Sequence, residues 1–194
     1  MNKINFPIIC YFDDEATAQI RTLQEEISIM TGSVGSLEVW LPHLTVGSAV
    51  LVEENKLESF YKTMEEFVSK FKPVEITLKN FSFLDDWIGA SQSSVFTPYV
   101  IYLEVENYEG LREVAITLKE ITDGMERSYN QPWPYLPHVT VAYKDLDKEG
   151  FEKAKELLSV RGFEKKVILD HIAIAVDDPI TRKCTEYKRF YFAK

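Results

Sequence analysis

Pro42-His43-Leu44-Thr45-Val46 and Pro137-His138-Val139-Thr140-Val141 are two copies of one pattern: a proline, then a histidine and a threonine spaced two apart among apolar residues. They use two of the three histidines in the chain. In extended backbone successive side chains point to opposite faces, so His43 shares a face with Thr45, and His138 with Thr140, while Leu44, Val46, Val139 and Val141 point the other way. Each copy presents an imidazole and a hydroxyl together on a polar face with an apolar backing. Continuing the same alternation puts the small residues Gly47 and Ala142 next on those faces, which leaves room above the strands. Lys144 follows Ala142, where the first copy has Ala49.

Outward from the motifs the chain reads as two similar halves. The first half has an apolar strand pattern over 4–12, an acidic turn, and a helix with Ile20, Leu23, Ile27 and Met30 on one stripe. The motif strand follows over 38–50. A second helix begins near Glu53, carries Leu57, Phe60, Tyr61, Met64, Phe67 and Phe71, and stops at Pro73 before a strand over 74–83. The second half repeats the order: a strand over 99–105, a helix with Leu111, Val114, Leu118 and Ile121, and the motif strand over 136–143. A helix with Phe151, Ala154, Leu157 and Leu158 and a strand over 163–169 complete it.

From Ile9 to His43 is 34 residues and from Tyr102 to His138 is 36; His43 to Ile76 is 33 and His138 to Ile168 is 30. Such agreement points to duplication of a whole β-α-β-α-β unit, with halves of approximately 1–92 and 98–194 in one bilobal domain spanning 1–194. The predicted class is α+β: two antiparallel-type sheets related by a pseudo-two-fold axis, flanking a central groove. Two further strands, over 171–176 and 183–192, form a hairpin around Asp177-Asp178-Pro179.

Composition sets the class of partner. At 45% apolar and 27% charged the 194 residues suit a globular domain with a sizeable core. A net charge of −9, from 31 acidic and 22 basic residues, opposes tight attachment to a long nucleic acid but leaves a small anion in a local pocket possible. No apolar run approaches the roughly 20 residues of a membrane span, and residues 1–11 lack the features of a secretory signal, so a cytoplasmic monomer is expected. Cys10 and Cys184 lie in strand patterns and are expected to be buried and reduced.

With these residues in view, the chain resembles the two-histidine (2H) phosphoesterase superfamily, close to its 2'-5' RNA ligase-like branch. The resemblance covers nearly the whole chain in element order, while motif identity is confined to the two segments 95 residues apart. It implies a bilobal fold whose groove holds a phosphodiester between the motifs, and hydrolysis of 2',3'-cyclic phosphates or 2'-5' linkages without a metal or other cofactor. His43 and His138 would then be the acid/base pair, and Thr45 and Thr140 the phosphate-holding residues. The residue types suit that chemistry independently, because unperturbed imidazole, with a pKa near 6.5, can both take and give a proton near neutrality. Threonine hydroxyls can donate to the nonbridging oxygens where charge develops.

Substrate-binding candidates surround the motifs. Relatives often place an arginine or lysine near a motif; this chain has no arginine close to either, and Lys144 is the candidate cation. Tyr135 and then Trp133, in the stiff approach Pro132-Trp133-Pro134-Tyr135-Leu136-Pro137, and Trp40 before His43, are candidates for stacking a nucleobase. Phe83 and Trp87 are weaker ones. His171 has no threonine partner and reads as a structural residue. No His/Cys cluster has zinc spacing, and the acidic pairs Asp13-Asp14, Asp85-Asp86 and Asp177-Asp178 read as turns or helix caps. The partner expected is a small nucleotide or RNA-end phosphodiester. RNA joining through a 2'-5' bond, and a nucleotide-binding module without turnover, are the alternatives.

Overall fold

The structure, a computed structural model, describes residues 2–87, 96–178, 180 and 183–194. The expected hairpin turn lies partly outside these, at Pro179, but its two strands pair as predicted. Strand β1 (Lys3–Phe6) and strand β2 (Ile8–Tyr11) take the place of one strand over 4–12, because Pro7 has no N–H for a continuous ladder and the chain changes sheet there. Helix α1 (Asp14–Thr31) starts on Asp13, whose carboxylate accepts the Ala16 N–H at 2.7 Å. It ends at Gly32, whose left-handed φ of 77° lets its N–H reach the Ser28 carbonyl.

The strand expected over 38–50 is three separate elements. Helix α2 (Gly35–Val39) comes first, then β3 (His43–Thr45), then β4 (Ala49–Glu53) in another ladder. The short helix is set by groups distant in sequence. The Asp145 carboxylate accepts the N–H groups of Val34 at 2.8 Å and Gly35 at 3.0 Å, and the Arg21 guanidinium donates to the Leu37 carbonyl at 2.6 Å. Gly35 has no substitute at its contact, since a Cβ there would lie 2.6 Å from the Tyr143 carbonyl oxygen. A 3-10 turn at Glu54–Lys56 precedes α3 (Leu57–Val68), so Glu53 closes a strand rather than opening a helix.

The remaining elements are β5 (Val74–Leu84), β6 (Val100–Glu106), α4 (Glu109–Ile121), β7 (Arg127–Tyr129), β8 (His138–Ala142), α5 (Lys148–Leu158), β9 (Glu164–Leu169), β10 (His171–Asp177) and β11 (Cys184–Tyr191). The α+β class and the antiparallel pairing are as predicted, and every strand pair of the sheets is antiparallel. Among the described residues the strands form three ladders rather than two: β11-β10-β2-β3, β8-β6-β5-β9 and a smaller β1-β4-β7. Strand β7 has too little apolar pattern to be visible in sequence.

The two four-stranded sheets have matching orders: motif strand, first strand of that half, then two strands of which at least one comes from elsewhere in the chain. Strand β5, from the first half, sits between β6 and β9 of the second. The C-terminal hairpin β10-β11 sits beside β2. Strands from one half of the chain thus sit in the sheet that holds the other half's motif. Helices cross over too, since α1 packs on β8 and α5, while α3 packs on β4 and β11. Ala16, Ile20, Leu23 and Ile27 of α1 are buried in the core that this interlocking creates, each large side chain contributing about 1.5 to 3 kcal/mol.

Candidate functional site

Strands β3 and β8 are in contact where the lobes meet, and both motifs open on one cavity of about 430 Å³, within the range of small-ligand pockets. His43, Thr45, His138 and Thr140 all line it, and all four are half-buried, while Leu44, Val46, Val139 and Val141 are buried in the core. The strand-parity expectation is met within each motif.

Beyond the motifs each strand departs from regular pairing. The Ile8 carbonyl accepts from both Val46 and Gly47, at 3.0 and 3.3 Å. On the other strand the register slips so that Tyr102 faces Thr140 while Ile101 faces Ala142. Each motif thus ends in a β-bulge, which re-aims the next side chains along the strand. A Cβ on Gly47 would lie 2.6 Å from Leu118 of α4, and Ala142 is 2% exposed. Gly47 lines the cavity, as its place on the motif face implies, with Leu118 leaving no room there for a side chain, whereas Ala142 is packed in the core and is not part of the wall.

The two histidines are held identically. His43 Nδ1 lies 2.9 Å from the Leu41 carbonyl oxygen and His138 Nδ1 lies 3.0 Å from that of Leu136, each two residues earlier. A carbonyl only accepts, so Nδ1 carries the hydrogen in both rings, and Nε2 is left as the nitrogen free for chemistry. Each ring is braced by a tryptophan: Trp40 against His43, with centroids 4.5 Å apart, and Trp87 edge-on to His138 at 5.4 Å, where Tyr102 supports the same ring.

Desolvation in this packed setting pulls His43 down to about 4; the bond to Leu41 opposes it, and the neighbouring His138 and Lys144 add to the depression. His138 is lowered for the same chief reason. Both imidazoles are neutral at pH 7 in the free protein.

Several supports cross between lobes. The Tyr135 hydroxyl donates to the Thr45 carbonyl at 2.9 Å. Gln24, from α1, lines the cavity at 3% exposure and donates to the Thr140 carbonyl at 3.4 Å. Its own carbonyl accepts from Arg21 at 3.1 Å, and Arg21 also donates to the Trp40 carbonyl at 3.3 Å. The second half thus anchors the first motif, and the first half anchors the second.

The aromatic candidates sort differently from the sequence expectation. Tyr135 is 3% exposed, so neither ring face is open for stacking; its role is the hydroxyl bond to Thr45. Trp133 packs on Tyr135 and under the Lys119 ammonium, outside the cavity wall. Trp40 does line the cavity, as do Trp87 and two residues the sequence did not suggest, Phe96 and Tyr143. Phe83 packs into the core against Phe151.

Lys144 lines the cavity from just beyond β8, with a φ of 79° that takes it off the strand face. Burial pulls its ammonium below the ordinary lysine value. It is the only lysine or arginine in the cavity wall among the described residues.

His171 is buried, with Nδ1 2.6 Å from Asp170, and Cys10 and Cys184 are buried free thiols, as expected of structural residues. Asp13 and Asp147 are helix N-caps. Among the described residues no three His, Cys, Asp or Glu side chains group in a way that could hold a metal ion, and no helix is long and apolar enough to cross a membrane.

Two interlocked α+β lobes that set a His-x-Thr strand apiece against one cavity define the two-histidine phosphoesterase class. The family model of the 2'-5' RNA ligase superfamily matches residues 12–179, and the chain belongs to that superfamily. Solved structures share the fold at low identity. TT0787 of Thermus thermophilus is 14% identical with a TM-score of 0.64, over 97% of this chain and 98% of that one. E. coli LigT, in apo form and complexed with 3'-AMP, is 15% identical with a TM-score of 0.62, over the full length of both chains. None of the curated proteins matches the sequence significantly.

Proposed function

We propose that this protein is a metal-independent phosphodiesterase that hydrolyses a 2',3'-cyclic phosphate or 2'-5' phosphodiester of a small nucleotide or RNA end, using His43 and His138 as acid and base. The observation that supports it most is the matched pair of imidazoles, both tethered through Nδ1 and both lining one cavity. Membership of the superfamily adds to it, and the fold relative LigT is complexed with 3'-AMP, ATP and NADP+ in other structures.

The step balances with the groups present. One neutral Nε2 accepts a proton from water as the water oxygen bonds to phosphorus. The other imidazole, protonated, gives its Nε2 proton to the leaving ribose oxygen as the P–O bond breaks. Because both rings are neutral in the free protein, the second proton must be taken up with the substrate. An anionic phosphodiester between them favours this by raising the pKa of both rings. Thr45 and Thr140 donate to the nonbridging oxygens, and Lys144, the only lysine or arginine lining the cavity among the described residues, adds its positive charge to that of the protonated imidazole.

Phosphorus NMR of nucleoside 2',3'-cyclic phosphates and 2'-5' dinucleotides tests the reading. Conversion to a monoester that continues in excess chelator is expected. Shifted resonances without product would instead support a binding module.

A further inference from the structure

The two exits of the groove are chemically unlike. Beyond β8 lie Tyr143 and Lys144, packed against Gly35, and this end carries the cation. Beyond β3 the wall is neutral and rich in amide and hydroxyl groups: Asn5 of β1, Ser128 and Tyr129 of β7, and Gln131. These residues form one unit. Ser128 Oγ donates to Asn5 Oδ1 at 2.6 Å, Tyr129 pairs with Ala49, and the Gln131 N–H donates to Ser48 Oγ at 3.0 Å. Ala49 is four residues past Thr45, at most about 13 Å along extended chain, so a group attached to a phosphate between the motifs reaches this end.

Gln131 stands out within it. It is 9% exposed, it lines the cavity, and its side-chain oxygen is buried without a hydrogen-bond partner. A buried primary amide with an unmet acceptor is costly unless something completes it. No residue of the described chain does so. A ligand group that enters this end and carries both a donor and an acceptor would, after rotation about the terminal side-chain bond. Among the described residues no Lys, Arg, Asp or Glu lines this end, which disfavours a charged group as its natural occupant. An amide or amidine edge is what a glutamine pairs with bidentately, and nucleobases present such edges.

We propose that the neutral exit is a nucleobase subsite in which Gln131, backed by Asn5 and Ser128, reads the hydrogen-bonding edge of the base whose ribose phosphate lies between the two motifs. This rests on the nucleotide reading of the site and fixes its polarity: base toward β7, the opposite substituent toward Lys144. Gln131 is the specificity-determining residue, and selection comes from hydrogen bonding at the base edge rather than from stacking alone.

The experiment reads affinity for ligands that are not consumed, so its outcome is separate from whether the protein hydrolyses anything. Adenosine, cytidine and uridine 3'-monophosphates and the base-free ribose 3-phosphate are titrated by calorimetry against wild type, Gln131→Leu and Gln131→Glu. Wild type is expected to bind the nucleotides at least roughly tenfold tighter than ribose 3-phosphate. In Gln131→Leu that ratio collapses to within about threefold, the stacking share that remains. Gln131→Glu keeps the size but only accepts hydrogen bonds, so it loses one bond of the bidentate pair at any of these base edges and lowers the ratio of nucleotide to ribose 3-phosphate affinity by at least about threefold. If Gln131→Leu does not fold, the ratio in Gln131→Glu decides. A wild-type ratio near one, or a ratio unchanged in folded Gln131→Leu or in Gln131→Glu, overturns the proposal. Hydrolysis with no base dependence would leave the proposed function standing and remove this subsite.

Discussion

The hydroxyl of Tyr135 and the carbonyl oxygen of Thr45, 90 positions apart in the chain, are joined by a hydrogen bond of 2.9 Å. It ties the approach to the second motif to the strand of the first. Burial raises the phenol well above its ordinary pKa, so it remains a donor across the physiological range. Tyr135→Phe keeps the ring and removes the bond. It should lower unfolding stability by about 1 to 3 kcal/mol in urea titrations, while leaving the ratio of nucleotide to ribose phosphate affinity unchanged. A selective loss of nucleotide affinity with stability intact would instead place the hydroxyl against the ligand rather than against Thr45.

Stability should fall on mild acidification because of the imidazoles. His43, held at about 4, and His138 and His171, also lowered, bind protons less readily folded than unfolded. The unfolded chain takes up protons as pH drops through about 6.5, so stability is full above that value and is lost between 6.5 and 4, where His43 finally protonates in the folded state. From about pH 6.5 to 5 ordinary carboxylates remain ionised, which isolates the effect. Urea midpoints over this range should decline in wild type and decline less steeply in His43→Gln/His138→Gln. Identical slopes would show that these rings are not desolvated.

Catalysis should respond to pH through the same groups. One ring must be protonated and the other neutral, and both free-protein values lie below the ordinary 6.5, so kcat/KM should peak on the acid side of that value and fall above it. Lys144 helps to depress His43. Lys144→Ala should therefore move the acid limb of the profile upward and raise KM by roughly tenfold through the lost cation. A profile that keeps its limbs in Lys144→Ala would separate the lysine from the site.

The motif region was legible because strand parity is local: His43 with Thr45 and His138 with Thr140 needed only the alternation of side chains. The parity of Gly47 was legible in the same way, but that of Ala142 was not, because the bulge after Thr140 depends on how Ile101 pairs from another strand. Helix α2 was hidden in an expected strand because its cap, Asp145, lies 110 positions away. The repeat intervals revealed duplication but not the exchange of β5 and the β10-β11 hairpin between lobes, since sheet partners are set by tertiary packing. Tyr135 and Trp133 looked like a lip on composition alone. Burial takes Tyr135 away from the ligand and Trp133, though exposed, lies outside the cavity wall, while Gln24 and Gln131, ordinary polar residues in sequence, came to it.

The paired-histidine claim is tested most directly by turnover of a nucleoside 2',3'-cyclic phosphate, followed by phosphorus NMR, in wild type, His43→Ala and His138→Ala. Both rings are half-buried at the cavity wall, so near-native unfolding midpoints should accompany the variants. Wild type should form a monoester, and each variant should be slowed by roughly 10²-fold or more. Full turnover by either folded single variant would contradict it.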